Sequence, residues 1–133
     1  MSVHVQPEAP GSQRHLITVA GRELPLDLPP PKGEGPTPHD YFDAALAGCK
    51  ALTLMIYAKG KNIPLEGVEV DIERDDKDER RGQYRLAVRL QLRGDLSDEQ
   101  VAELHAVADR CPVHKLMTST TVDIDTQVER AAT

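Results

Sequence analysis

Residues 40 to 61 read DYFDAALAGCKALTLMIYAKGK, and this stretch decides the fold. Just ahead of it, Thr37 is a helix-capping residue type, Pro38 suits a first helical position, and Asp40 follows the cap by three residues. At its far end, Lys59 and Lys61 put cations in the last turn, and Gly60 offers a left-handed stop. These signals predict a helix from about residue 38 to about residue 59. Between Tyr41 and Ala58 only Asp43 and Lys50 are charged, so the helix is expected to be buried nearly all round, inside the molecule or inside a dimer. Cys49 lies at its middle, with Ala45, Leu46, Leu52 and Thr53 as helical neighbours, and Gly48 lets another backbone approach closely.

Upstream, LPPPKGEGPTP at 28 to 38 holds five prolines and two glycines, which forbids a long regular element. His15 to Val19 and Glu23 to Leu28 read as short strands around a turn at Ala20-Gly21-Arg22. Residues 1 to 13, with His4, read as a loose arm. Downstream, LEGVEVDIER at 65 to 74 and YRLAVRLQLR at 84 to 93 alternate apolar and polar residues, as half-exposed strands do, around a charged turn, DDKDERRGQ. Ser97 and Gln100 form a capping-box pattern for a second helix that ends near Cys111, with Val101, Leu104, Val107, Ala108 and Cys111 on one face. Pro112 then breaks that helix or starts a short turn, PVHKLM, before a last alternating strand, TVDIDTQVE, at 121 to 129. Hairpins interleaved with helices predict an α+β fold with antiparallel sheets, not a doubly wound parallel sheet.

The length, 133 residues and 14.6 kDa, suits one domain over residues 1–133. A formal charge of -6 argues against nucleic acid or an anionic membrane surface as a partner. No apolar run reaches the roughly 18 residues of a membrane span, and the first residues lack the apolar core of an export signal, so the expected location is the cytoplasm. Aromatic residues make up only 3% and tryptophan is absent, so the core must rely on aliphatic packing and on burial against a second subunit, which predicts a homodimer.

Two cysteines, Cys49 and Cys111, are too few for a secreted disulfide scaffold and too far apart for a redox CxxC. They are either buried structural thiols or a distant working pair. Cys111 precedes Pro112 and a possible helical turn, with His114 three residues on, an arrangement that favours a thiolate. Cys49, in apolar company, would have a raised pKa unless a cation reaches it. The candidates are Arg14, Arg22 and Lys50, and Lys50 leaves the helix about 100° away from its neighbour. A zinc site of Cys49, Cys111, His105 and His114, with His15 or His39, lacks the closely spaced ligand pairs of such sites, so no metal is expected. Serine catalysis has no G-x-S-x-G to support it, Ser119 sits in a polar turn, and Asp123 and Asp125 share a face that reads as solvated.

GPTPHDYFDAALAGC, at 35 to 49, together with RCPVHK, at 110 to 115, resembles the OsmC/Ohr family, named for osmotic induction and organic hydroperoxide resistance. The first motif is similar to the start of that family's long central helix with its peroxidatic cysteine. The second resembles its Cys-Pro-Val-His or Cys-Pro-Val-Ser resolving site. The resemblance spans most of the chain and implies an intertwined homodimer with the long helix buried at the shared interface. It also implies that an N-terminal arginine, Arg14 with Arg22 as the fallback, faces the Cys49 thiolate.

The function so implied is an antioxidant, stress-response thiol peroxidase acting on organic hydroperoxides. Cys49 would become a sulfenic acid, Cys111 would close a disulfide with it, and an external lipoyl or thioredoxin-like dithiol would reduce that bond, with no cofactor. Where the better-known branches place a glutamate near the helix start, this chain has His39 with Asp40 beside it. His39, Asp40 and Phe42 are therefore the candidate binding residues. The alternative expectation is a redox-sensitive stress protein that binds a small hydrophobic ligand without significant peroxide turnover.

Overall fold

Three short strands open the chain in the computed structural model, which describes residues 1–132. β1 (Val3–Pro7), β2 (His15–Val19) and β3 (Arg22–Leu26) form an antiparallel sheet in that order. Val3 stands opposite Val19 and Pro7 opposite His15, while His15 also faces Leu26 and Val19 faces Arg22. The first residues, expected to be a loose arm, thus carry a strand. Val3 and Val5 have strand-forming side chains, and a bond from Glu8 N–H to Arg14 O of 2.9 Å continues the pairing beyond β1. The β2–β3 turn is tighter than expected. Ala20 and Gly21 both adopt positive φ, 51° and 72°, which makes a two-residue hairpin turn and leaves Arg22 to begin β3.

The proline-rich loop is tied down by one carboxylate. Asp27 accepts from Gln13 Nε2 at 3.0 Å and from the backbone N–H of Leu28 at 2.8 Å and Glu34 at 3.2 Å. It leads into α1 (Pro38–Gly60), which starts as the sequence predicts: Asp40 N–H donates to Thr37 Oγ1 at 3.1 Å, and Thr37 N–H donates to Asp40 Oδ2 at 2.9 Å. The stop differs. Gly60 stays helical, and the left-handed residue is Asn62, φ 56°, with Ile63 N–H returning to Ala58 O at 2.9 Å. Asparagine tolerates this conformation, and the buried Ile63 supplies the apolar anchor that such a stop favours.

Within a single chain α1 is not buried all round. Both of its mid-helix charges, Asp43 and Lys50, are buried, whereas Ala45, Gly48, Leu52 and Ile56 form an exposed stripe, with Leu52 66% and Ile56 72% accessible. The charges are buried because each has partners to bind, described below. The stripe is exposed because none of the described residues covers it.

β4 (Leu65–Asp75) and β5 (Arg85–Gly94) form a two-stranded sheet. Val68, Val70 and Ile72 on one strand, and Leu86, Val88, Leu90 and Leu92 on the other, are half-buried. The charged turn between them holds a single 3-10 turn, Glu79–Arg81. α2 (Asp98–Ala108) carries the predicted capping box of Ser97 and Gln100 and buries Leu104, Val107 and Ala108. Val101 is exposed, because at about 100° per residue it falls at the rim of that face. α2 ends before Cys111, and α3 (Pro112–Thr118) follows at once.

The last expected strand, 121–129, does not form. No regular element follows α3 among the described residues, and Val122, Ile124 and Val128 are all exposed. Alternation gives a segment an apolar face, but a strand also needs a neighbour for its backbone hydrogen bonds.

By contacts the chain divides into two units, Met1–Gly48 with Val70–Leu90, and Cys49–Glu69 with the chain from Gln91 onward. Both cysteines lie in the second, where Leu54, Leu104 and Cys111 are the most deeply buried side chains. No helix among the described residues is long and apolar enough to cross a membrane.

Candidate functional site

Cys111 is placed by the junction of α2 and α3. Its backbone is extended, φ −65° and ψ 137°, and it caps α3: Pro112 takes the first helical position, and Cys111 Sγ accepts from His114 N–H at 3.3 Å. The side chain has no solvent exposure. Cys49, halfway along α1, is part-buried and stands 3.9 Å from Thr53 Oγ1 one turn on. The Val113 backbone N–H and the Cys111 thiol both lie close enough to the Cys49 sulfur to lower its pKa. The structure therefore brings the two cysteines, 62 positions apart in sequence, into one cluster, with both thiols free.

The surroundings separate the two thiols chemically. Burial works to raise the pKa of Cys49, but it is outweighed by the Val113 N–H, the Cys111 thiol, the Thr53 hydroxyl and the charge of Lys50, so Cys49 lies below an ordinary thiol. Cys111 moves the other way: burial pushes it up, the neighbouring Cys49 adds to the rise, and the His114 N–H and Lys50 offset only part of it. Cys49 is thus the sulfur that ionises first.

Lys50 is the residue whose part sequence reasoning missed. Instead of leading its charge away from Cys49, its side chain is 3% exposed, and Nζ donates to Ala108 O at 2.9 Å, His114 Nδ1 at 3.0 Å and Asp109 Oδ1 at 3.2 Å. A signal was available. A lone cation in an apolar helix span has to find acceptors if that span is buried, and the carbonyls closing α2 are natural ones.

The other candidate residues lie in the first unit. Arg14 is held by Glu8 at 3.3 Å and Asp27 at 3.9 Å, and Arg22 is exposed at the start of β3. His39 Nε2 bridges both oxygens of Glu79, at 2.8 and 3.0 Å, and Asp40 caps α1 and pairs with Arg74 at 2.7 Å. Phe42 meets Tyr84 edge to face at 5.7 Å. Pro38, His39, Phe42, Glu79 and Tyr84 line an open, mainly apolar cavity of about 360 Å³. Among the described residues no group of three or more His, Cys, Asp or Glu side chains is arranged to hold a metal ion.

The profile of the OsmC-like protein family matches residues 31–127, a span that includes both cysteines. The chain belongs to the OsmC-like family. No curated protein matches this OsmC-like chain. Among solved structures it is similar to the organic hydroperoxide resistance protein OhrB of Bacillus subtilis, with 27% identity, a TM-score of 0.61, and 90% of this chain and 92% of that one covered. An OsmC-like protein from Mycoplasma pneumoniae shares the fold at 17% identity and a TM-score of 0.72, over 89% of this chain and 86% of that one. An organic hydroperoxide resistance protein OsmC from Legionella pneumophila does so at 22% identity and 0.59, over 90% of both chains.

Proposed function

We propose that this OsmC-like protein is a cysteine-based peroxidase that reduces organic hydroperoxides, the compounds named in the resistance proteins it resembles. The observation that carries the reading is the split thiol pair: two free cysteines brought into one cluster, Cys49 with a lowered pKa and Cys111 with a raised one. The Cys49 thiolate attacks the outer oxygen of the hydroperoxide. The O–O bond breaks, the sulfur is oxidised to sulfenic acid, and the alkoxide takes a proton and leaves as the alcohol. Cys111 then attacks the sulfenic sulfur, releasing water and forming the Cys49–Cys111 disulfide. An external dithiol, lipoyl or thioredoxin-like, reduces that disulfide in a reducing cytoplasm. This chemistry needs neither metal nor flavin. Arg14 is the proposed orienting group for the peroxide.

The working form is proposed to be a homodimer. The stripe Ala45, Gly48, Leu52 and Ile56 supports this, because a Cβ added at Gly48 would meet nothing within 4 Å and the neighbouring apolar residues are exposed. The unpaired apolar side chains Val122, Ile124 and Val128 support it as well. A second reading, a redox-sensitive module that binds a small hydrophobic ligand, is favoured by the cavity at His39, Phe42 and Tyr84.

The test is to add one equivalent of an aryl alkyl hydroperoxide to fully reduced protein and follow free thiols and intact mass. The expected result is loss of both thiols and about 2 Da per chain, slower with hydrogen peroxide and absent in Cys49→Ser. Thiols that survive for hours would refute the peroxidase and leave the ligand-binding reading.

A further inference from the structure

Lys50 has three N–H donors, no acceptor, and three acceptors around it: Ala108 O, Asp109 Oδ1 and His114 Nδ1. Each belongs to the segment that delivers Cys111, two of them before it and one after it. Because a lysine ammonium can only donate, His114 Nδ1 is the acceptor of that bond. His114 also gives its backbone N–H to Cys111 Sγ, so the residue that Lys50 holds is the residue that caps the second thiol. The one carboxylate paired with Lys50, Asp109, is 75% exposed, so solvent screens it and the ammonium is only partly neutralised on the side of the sulfurs.

We propose that Lys50 is the positioning residue of the thiol pair: its buried ammonium clasps the α2–α3 junction to α1, sets Cys111 against Cys49, and puts a fixed positive charge beside the Cys49 sulfur. The charge needs no arginine from elsewhere in the chain to be in place. The bonds to Ala108 and His114 hold the junction in register, so the charge and the geometry of the thiol pair have one source. The positive field acts on both thiols, and the short stretch from Ala108 to His114 carries everything that Lys50 holds.

The inference deepens the peroxidase reading but is tested without peroxide. The rate of iodoacetamide alkylation of Cys49 against pH, measured in Cys111→Ser protein, gives the midpoint at which this thiol ionises. The charged group acting on it is Lys50 on α1, whose own titratable partners are Asp109 at the end of α2 and His114 on α3. Lys50→Met is expected to raise the midpoint by about one pH unit, and Lys50→Arg to restore at least half of that shift, since the Lys50 charge is among the influences that lower Cys49 and a buried charge near a part-buried thiol acts at about this scale. An unmoved midpoint in folded Lys50→Met overturns the proposal, as does a raised midpoint in Lys50→Arg equal to that of Lys50→Met.

Should these variants fail to fold, the unaltered protein carrying 13Cε-lysine answers the same question. The Lys50 resonance, identified as the one that resists reductive methylation, is expected to shift as Cys49 titrates. A resonance that stays constant through that range overturns the proposal. A protein that shows the midpoint shift and yet no peroxide-driven loss of thiols would refute the peroxidase and keep the role of Lys50.

Discussion

Replacing Asp43 should destabilise the protein more than any exposed charge on α1 could. Its carboxylate is 12% exposed and accepts from Arg74 Nε at 2.7 Å with one oxygen and from Tyr84 Oη at 2.7 Å with the other. In Asp43→Asn the amide oxygen keeps one donor, and its NH2 is turned towards the other. A hydrogen bond to a charged partner contributes about 1.5–3 kcal/mol. Arg74 retains Asp40 at 2.7 Å and is 25% exposed, so solvent recovers part of the loss. The expected cost is about 2 kcal/mol for Asn, and about 3 kcal/mol for Ala, which loses both bonds.

Urea unfolding with an unchanged m-value is the assay. A cycle with Tyr84→Phe should return a coupling of about 1 kcal/mol, because one donor is shared. The Tyr84 phenol offers an independent readout: burial first, then its bond to Asp43, push its pKa up to about 12. Its contribution to stability is therefore complete below the unfolded value of about 10 and is lost as the pH climbs through about 12. Ultraviolet titration of Asp43→Asn should show a smaller rise. A change in stability under about 0.5 kcal/mol, with the Tyr84 titration unmoved, would refute the idea that this buried carboxylate organises its unit.

The Asp40 carboxyl is held below its usual range by the Thr37 N–H and then by Arg74, so its stabilisation is present above the unfolded value of about 3.9 and fades as the pH falls through the folded one; urea midpoints should decline below about pH 4, less steeply in Asp40→Asn, and equal slopes would contradict this. Gly94→Ala should cost at least about 2 kcal/mol, since the residue sits at φ 141° and the new Cβ would lie 2.2 Å from Pro64 O; an unaltered thermal midpoint would show that the strand end can shift freely. Leu52→Glu puts a charge into the exposed stripe of α1, so sedimentation should find two chains per particle in the unaltered protein and one in the variant, and a monomer in both would exclude the dimer.

The caps and the alternation were readable because they are local. Thr37 and Asp40 bond within one turn, Ser97 and Gln100 do the same, and the strands of the β4–β5 hairpin announce themselves by period two. What the sequence did not disclose depends on partners far along the chain. Asp43 is satisfied by Arg74 and Tyr84, more than thirty positions away in sequence, and Lys50 by the close of α2. A helix with two charges in an apolar span therefore read as uniformly apolar, although those charges mark the sides that turn inward. The strand expected at 121–129 failed for the complementary reason: its alternation is local, but its backbone needs a neighbour that alternation does not supply. The site was legible as a pair of cysteine motifs. The residues alone pointed to Cys111 as the ionised thiol and only the resemblance pointed to Cys49, because the order depends on a backbone N–H at Val113 and a lysine stem that bends back.

That bending back also bears on how a reactive thiol can sit in the middle of a helix. Neighbouring side chains leave α1 about 100° apart, so a short side chain following Cys49 would take its charge elsewhere. The four-carbon stem of lysine spans the gap, and the side chain is buried to its ammonium. The cost of burying the ammonium is offset by three acceptors, all in the segment from Ala108 to His114 that must be fixed for Cys111 to stand beside Cys49. An arginine there would keep the charge but would spread its donors over a planar fork too wide for a backbone carbonyl and an imidazole set for one nitrogen. Partial rather than complete recovery in Lys50→Arg is therefore the outcome expected of a residue that both charges the site and holds it together.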